Sequence, residues 1–194
     1  MANIKESIAN NYNVQDVPHA LQARHHALFT HHPDAIFELS LDGIIEHCNS
    51  AAAHITGIAN EHLTGNAFFQ LLHIDALEEA KAAFNATLKG HHQSYQALSI
   101  NNHHHASQLE VTHVPIIVDE RMIGVYAICR DITQRKQDEN ELRLLKRGIE
   151  ASPNGVVMAD ATQPHLPLVY VNSAFTDITG YSAEEALGHS CRFL

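Results

Sequence analysis

The stretch PDAIFELSLDGIIEHCNSAAAHITG, Pro33–Gly57, moves from a two-residue to a helical hydrophobic period. AIFELSL alternates, with Phe37, Leu39 and Leu41 on one face and Glu38 and Ser40 on the other, which predicts a half-buried strand. Asp42-Gly43 supplies the positive φ of a tight hairpin turn, and IIEHC returns as a second strand. Asn49 and Ser50 are placed to cap a short helix, AAAHIT, and Gly57 to end it.

The same phrase is written twice. NSAAAHITG, Asn49–Gly57, returns as NSAFTDITG, Asn172–Gly180, and Gly65 returns as Gly188, all at an offset of 123 residues. Upstream, Pro33 and Pro153 stand 120 apart, because the tight LDG turn of the first copy becomes DATQPHLP in the second. A period this long marks a repeated domain; stacked solenoid units are far shorter. The second copy runs to GHSCRFL, a point equivalent to Leu71. It is therefore expected to hold only a domain's opening, with Val156, Val157, Leu168, Tyr170, Phe175 and Phe193 exposed for want of a covering sheet.

The first copy continues with the clearest helix in the chain, DALEEAKAAFNATLKG, Asp75–Gly90, which opens with acids and stops at glycine. Ala76, Leu77, Ala80, Phe84 and Leu88 line its apolar face. SYQALSI, SQLEVTHVPIIV and RMIGVYAICRDI follow as three strands. Two strands, several helices, then three strands imply an α+β fold, an antiparallel sheet with helices on one face. DVPHALQARHHALF, with Asp16 as cap, predicts an amphipathic helix before it, and TQRKQDENELRLLKRGIE a charged helix after it. Leu142, Leu145 and Ile149 lie at i, i+3 and i+7 on that second helix, the spacing of a short dimer seam; a solvated connector is the alternative. The plan is a tail and helix over residues 1–30, a domain over 31–134, a linker helix over 135–150 and an incomplete copy over 151–194.

Composition narrows the function. With 12 Lys+Arg against 22 Asp+Glu the 194-residue chain carries a formal charge of −10, which opposes a phosphate backbone, so no nucleic-acid partner is expected. No apolar run reaches the length of a membrane span and no signal-peptide core opens the chain, so a cytoplasmic protein with no membrane partner is expected. Cys48, Cys129 and Cys191 are too scattered for a disulfide framework. The 17 histidines include His25-His26, His31-His32, His91-His92 and His103-His104-His105. Neighbours on a strand point to opposite faces, and no metal site is expected from them. Adjacent carboxylates such as Glu78-Glu79, Glu184-Glu185 and Asp138-Glu139 diverge on a helix, and GxSxG and HExxH are absent, so no catalysis is expected.

The run Pro33–Gly57 resembles the opening of a PAS domain. HVPIIVDERMIGVYAICRDITQRKQDENELR resembles its closing strands and the DIT motif that leads into a signalling helix. The resemblance implies the PAS fold, a five-stranded antiparallel sheet with flanking N- and C-terminal helices. It also implies a sensor and dimerisation module, a homodimer with a small-molecule ligand in view, upstream of an output domain. RGIEASPNGVVMADA is similar to the tandem sensory regions of bacterial GGDEF/EAL proteins, which points to cyclic-di-GMP turnover as the output. A histidine-kinase input or a ligand-free dimerisation module are the alternatives. Asp131 and Thr133 can accept bonds from free N–H groups where the last strand becomes a helix, which makes them the expected signal-coupling pair.

GHSCRFL, Gly188–Leu194, is similar to the cysteine motif of LOV domains, the flavin-binding branch of that family, which reads G-x-N-C-R-F-L-Q. By that resemblance Cys191 is the thiol that attacks the flavin and Arg192 approaches its phosphate, where a planar fork suits phosphate oxygens. Ser190 departs from the family's amide. No cofactor is expected in this stretch of chain, and a flavin only in a complete parent. By the same resemblance haem is disfavoured, since haem-binding relatives place the iron ligand on the long helix and Asp75–Gly90 holds no histidine. His113, in LEVTHV, shares a face with Leu109 and Val111 and is the candidate pocket-lining residue; a satisfied core histidine is the alternative.

Overall fold

The computed structural model describes residues 17–100 and 106–193 and, of those, the side chains of 22–100 and 106–192. Asp16, His103-His104-His105 and the Phe193 side chain lie outside the described residues. The chain forms two compact units, divided after Thr133.

The first unit opens with α1 (Val17–His31), then β1 (Ala35–Leu39), β2 (Ile45–Cys48), α2 (Ser50–Thr56) and α3 (Asn60–Leu63). Two 3-10 turns lead into α4 (Leu77–Thr87), and β3 (Gln93–Leu98), β4 (Gln108–Val118) and β5 (Arg121–Asp131) complete it. The strands form one sheet in the order β2-β1-β5-β4-β3, every neighbouring pair antiparallel. The first strand to appear in sequence thus sits beside the last, and Phe37 faces both Cys48 and Ala127. Alternation puts Ala35, Phe37, Leu39, Tyr95, Val111, Val125 and Ala127 on the inner face, where Ala52, Leu63, Phe68, Ala80 and Phe84 of the helical segment bury them. This single apolar layer drives the fold, at roughly 25 cal/mol per Å² removed from water.

Three details differ from the expectation. Leu41 is 47% exposed, because β1 ends at Leu39 and the turn begins one residue later, where Gly43 N–H donates to Ser40 O at 3.0 Å. The helix expected over Asp75–Gly90 is split: Ile74–Ala76 forms a 3-10 turn and the α-helix runs only over Leu77–Thr87. Asn49 precedes α2 in the capping position, yet its side chain makes no capping bond; it is engaged elsewhere.

Gly124 lies close against the backbone of β1: a Cβ added there would stand 2.6 Å from Leu39 O. Gly124→Ala is expected to push β5 away from β1 and cost about 2 kcal/mol, the usual scale of overpacking. Urea denaturation reads the shift in midpoint.

In the second unit, α5 (Thr133–Glu150, belonging to this unit from Gln134) leads to a hairpin of β6 (Val157–Ala159) and β7 (Leu168–Val171). α6 (Ser173–Thr179), α7 (Ala183–Ala186) and a turn at Cys191–Phe193 follow. Leu168 and Phe175, expected to be exposed, are buried to 1% and 3% exposure with Val171 and Ala186. The cause is local closure: Gly188 N–H donates to Leu168 O and Leu168 N–H to His189 O, both at 2.8 Å, folding the segment after α7 back over β7. Tyr170 and Val156 are half-buried, while Val157 remains exposed.

Candidate functional site

The repeated phrase has a repeated mechanical role. Asn49, 2% exposed, accepts from Ile36 N–H at 3.1 Å and donates to Asp34 O at 3.0 Å and His32 O at 3.4 Å. Asn172, 1% exposed, accepts from Val156 N–H at 2.8 Å and Phe175 N–H at 3.0 Å. It donates to Ile149 O and Asn154 O, each at 3.0 Å. One amide, with two donor hydrogens and a carbonyl, satisfies backbone groups of both signs at once. The next residue repeats the pattern: Ser50 Oγ donates to Thr30 O at 3.0 Å and Ser173 Oγ to Glu150 O at 3.2 Å. In each unit the helix that leads into the first strand is thereby pinned to the end of the second. Reading Asn49 as a local cap missed this; the signal was the 123-residue repeat of an Asn-Ser pair.

The junction where the sheet of the first unit ends is also tied. Asp131 Oδ1 accepts from Thr133 N–H at 2.8 Å, satisfying a free N–H of the first turn of α5. Thr133 Oγ1 accepts from Gln108 N–H at 2.9 Å, and Ile132 N–H donates to Gln108 O at 2.8 Å. Asp131 and Thr133 thus divide the work: Asp131 caps the helix, and Thr133 bonds the start of β4.

His113 lies at the centre of the first unit's inner face, fully buried. Phe68, Phe84 and Tyr95 surround its ring edge-on at centroid distances of 5.9, 5.8 and 5.4 Å. Its Nε2 is 3.4 Å from the Tyr95 hydroxyl, and its Nδ1 is buried with no hydrogen-bond partner among the described residues. Whichever tautomer forms, one ring nitrogen meets the hydroxyl and the other is left unpaired. Burial lowers the imidazole pKa to about 4, so the ring is neutral at physiological pH. The satisfied-core alternative does not hold for Nδ1. A separate surface cleft of about 230 Å³ runs beside the start of α4, lined by His73, Asp75, Glu79, Gln96 and Gln108 among others.

In the second unit Glu150 closes the end of α5: Oε1 accepts from Tyr170 Oη–H at 2.6 Å and Oε2 from Ser173 N–H at 3.2 Å. The Tyr170 bond, then the Ser173 bond, hold the carboxyl below its ordinary range. Conversely the hydrogen bond to Glu150 pushes Tyr170 up to about 12. Replacing Glu150 with Gln is expected to bring Tyr170 back towards 10, the ordinary tyrosine value. Ultraviolet titration of tyrosinate checks it; an unmoved curve means the pair does not hold.

The remaining candidates are dispersed. Leu145 and Ile149 line an apolar groove on α5 with Leu144 and Gly148; Leu142 is 68% exposed and not among its lining residues. Cys191 and Arg192 are exposed, and the neighbouring apolar cluster of Leu168, Val171, Phe175 and Ala186 is packed shut. The described residues of this unit offer a thiol and a guanidinium at the surface without walls for a three-ring flavin, so on their own they do not fit that cofactor. Among the described residues no three His, Cys, Asp or Glu side chains gather where they could hold a metal ion. No described helix is long and apolar enough to cross a membrane.

Comparison with known proteins agrees with this architecture. A family model described as PAS fold matches residues 29–137, and one described as PAS domain matches 153–194. The bacterioopsin transcriptional activator of Halobacterium salinarum is 45% identical over 56 residues, 29% of this chain and 8% of that protein. Blue-light-activated histidine kinase 1 of Erythrobacter litoralis is 44% identical over 52 residues, 27% of this chain and 14% of that one. The blue-light photoreceptor of Listeria monocytogenes is 41% identical over 51 residues, 26% and 20%. The chain thus spans a fifth or less of these relatives. Among solved structures, the PAS domain of a Colwellia psychrerythraea protein superposes with a TM-score of 0.53 at 24% identity, covering 59% of this chain and 98% of that one. With a family model over more than half its length and the five-stranded sheet to match, the chain belongs to the PAS family.

Proposed function

We propose that this chain is a cytoplasmic sensory and dimerisation region of a signal-transduction protein, without catalysis of its own. Its first PAS domain responds to a small molecule, and α5 carries the response towards an output domain. The observation that carries this reading is His113: a neutral imidazole in an aromatic box, with Nδ1 buried and unpartnered. An unpaired buried polar atom costs about 1–3 kcal/mol, a cost that a hydrogen-bonding guest removes. Asp131 and Thr133 supply the route outward, since a shift of β4 or β5 reaches the first turn of α5 through their bonds.

Cyclic-di-GMP turnover is our proposed output, on the likeness of the segment after α5 to tandem GGDEF/EAL sensory regions. A histidine-kinase output is the second reading, favoured by the matched relative that bears that name. Flavin is proposed only for a longer parent in which further strands wall the site around Cys191. A ligand-free dimerisation module is supported by the closeness of the rings around His113.

Native mass spectrometry with the absorption spectrum of the purified chain tests the sensor reading. A bound small molecule that is lost in His113→Phe supports it. A ligand-free mass, with no thermal shift from any of a panel of small polar metabolites, leaves the dimerisation module. Turnover of GTP, ATP or cyclic-di-GMP that survives rigorous purification overturns the non-enzymatic reading.

A further inference from the structure

The chain holds one Asn-Gly pair, Asn154-Gly155, in the segment between α5 and β6. An asparagine side chain and the backbone nitrogen of the next residue can close a five-membered ring, an intramolecular attack favoured by proximity. Glycine eases that closure because no Cβ shields its nitrogen. Here both reacting groups are at liberty. Asn154 and Gly155 are exposed, and neither the Asn154 side-chain amide nor Gly155 N–H holds a hydrogen bond among the described residues. Comparable pairs are shut. Asn49-Ser50 and Asn172-Ser173 also place a small residue after the amide, but these asparagines are 2% and 1% exposed and their side chains are bonded to backbone. In Asp42-Gly43, where a carboxyl stands in for the amide, Gly43 N–H is taken by Ser40 O at 3.0 Å.

We infer that Asn154 is a site of spontaneous covalent modification, and that its isoaspartyl product releases the Asn172 clamp. Gly155 N attacks Asn154 Cγ; the new N–C bond forms, the Cγ–Nδ2 bond breaks, and the proton of the attacking nitrogen leaves with ammonia. Water, the one co-reactant, then adds to either carbonyl of the succinimide and gives aspartate or isoaspartate. Asn172 straddles the altered link: its Nδ2 donates to Asn154 O at 3.0 Å and its Oδ1 accepts from Val156 N–H at 2.8 Å. The aspartyl product fits, because the first unit carries Asp34 at the equivalent place, 120 residues earlier, with its carbonyl bonded by Asn49 Nδ2 at 3.0 Å. In isoaspartate the main chain runs through Cβ and Cγ and is longer by one C–C bond, about 1.5 Å, so the clamp loses its grip on one side of that link.

The purified full chain, warmed at neutral pH, tests the inference. Peptide mass spectrometry locates each amide turned acid, and an isoaspartyl carboxyl methyltransferase with labelled S-adenosylmethionine counts isoaspartate. Asn154 is expected to convert at least about tenfold faster than Asn49 or Asn172, which react only after local opening. Conversion no faster than theirs overturns the site. Asn154→Gln, which lengthens the side chain beyond a five-membered ring, is expected to abolish the methyl label in the segment between α5 and β6; label retained there also overturns it. Hydrogen exchange, read separately on aspartyl and isoaspartyl peptides, tests the release. Val156 N–H is expected to exchange at least about tenfold faster in the isoaspartyl product, and at its original rate in Asn154→Asp. Equal protection in the two products overturns the release.

Discussion

Lowering the pH from 6.5 to 4 is expected to cost the first unit about 3 kcal/mol of stability through His113 alone, the value of a shift from 6.5 to about 4 at 1.36 kcal/mol per unit. Folded, the imidazole is fully buried among Phe68, Phe84 and Tyr95 and resists protonation. Unfolded, it protonates near 6.5. Between those two values the unfolded chain binds more protons, so stability rises with pH there. The contribution is whole above pH 6.5, declines as pH falls through the window and is gone by about 4. Urea denaturation at a series of pH values measures the slope. His113→Phe keeps a ring in the box and removes the proton, so the difference in slope between the two chains isolates this residue from the carboxylates. Parallel curves through the window mean that His113 is not buried as described.

Much of this was legible in the residues, and the limits have physical causes. Period-two alternation placed His113 on the inner face with Leu109 and Val111, but whether Nδ1 finds a partner depends on side chains from α4 and the turns before it. Alternation also carried Leu41 inward, because the pattern runs two residues past the end of β1. The DIT resemblance and the free N–H groups of a strand-to-helix junction drew attention to Asp131 and Thr133; the Gln108 bond that makes Thr133 a tie to β4 spans 25 residues, beyond any local pattern. Asn49 and Asn172 were visible as a repeat, yet their partners lie up to 23 residues away, so a single copy reads as a helix cap. Leu168 and Phe175 were assigned to solvent on the premise that only a full sheet could cover them. A bridge between Pro167 and Ser190 and the fold-back at Gly188 supply a smaller cover.

That smaller cover makes the second unit dependent on one side chain. Among the described residues its buried apolar cluster is Leu168, Val171, Phe175 and Ala186, whereas twenty buried residues support the first. Asn172 joins four backbone groups around it, from the end of α5, the loop before β6 and the first turn of α6. Asn172→Ala leaves Val156 N–H and Asn154 O without partners at a site 1% exposed, while Phe175 N–H keeps its bond to Asn172 O and Ile149 O its bond from Ser152 N–H, an expected loss of about 3 kcal/mol. Asn172→Asp retains the acceptor for Val156 and Phe175 but turns an oxygen towards Ile149 O and Asn154 O, which an ionised carboxylate cannot bond. Its loss is expected to match that of alanine, and this separates a bidirectional clamp from a plain helix cap, which aspartate serves as well as asparagine. Hydrogen exchange resolves the consequence by segment. In both variants the amides from Val156 to Leu187 should exchange faster by about two orders of magnitude, the factor that 3 kcal/mol represents. Those of β1, β4 and β5 should not change. Protection of Val156 retained in Asn172→Asp reduces the clamp to a cap. In Asn49→Ala the first unit should remain folded at a lowered midpoint, since three bonds are lost there, one of them 3.4 Å long, against a far larger core.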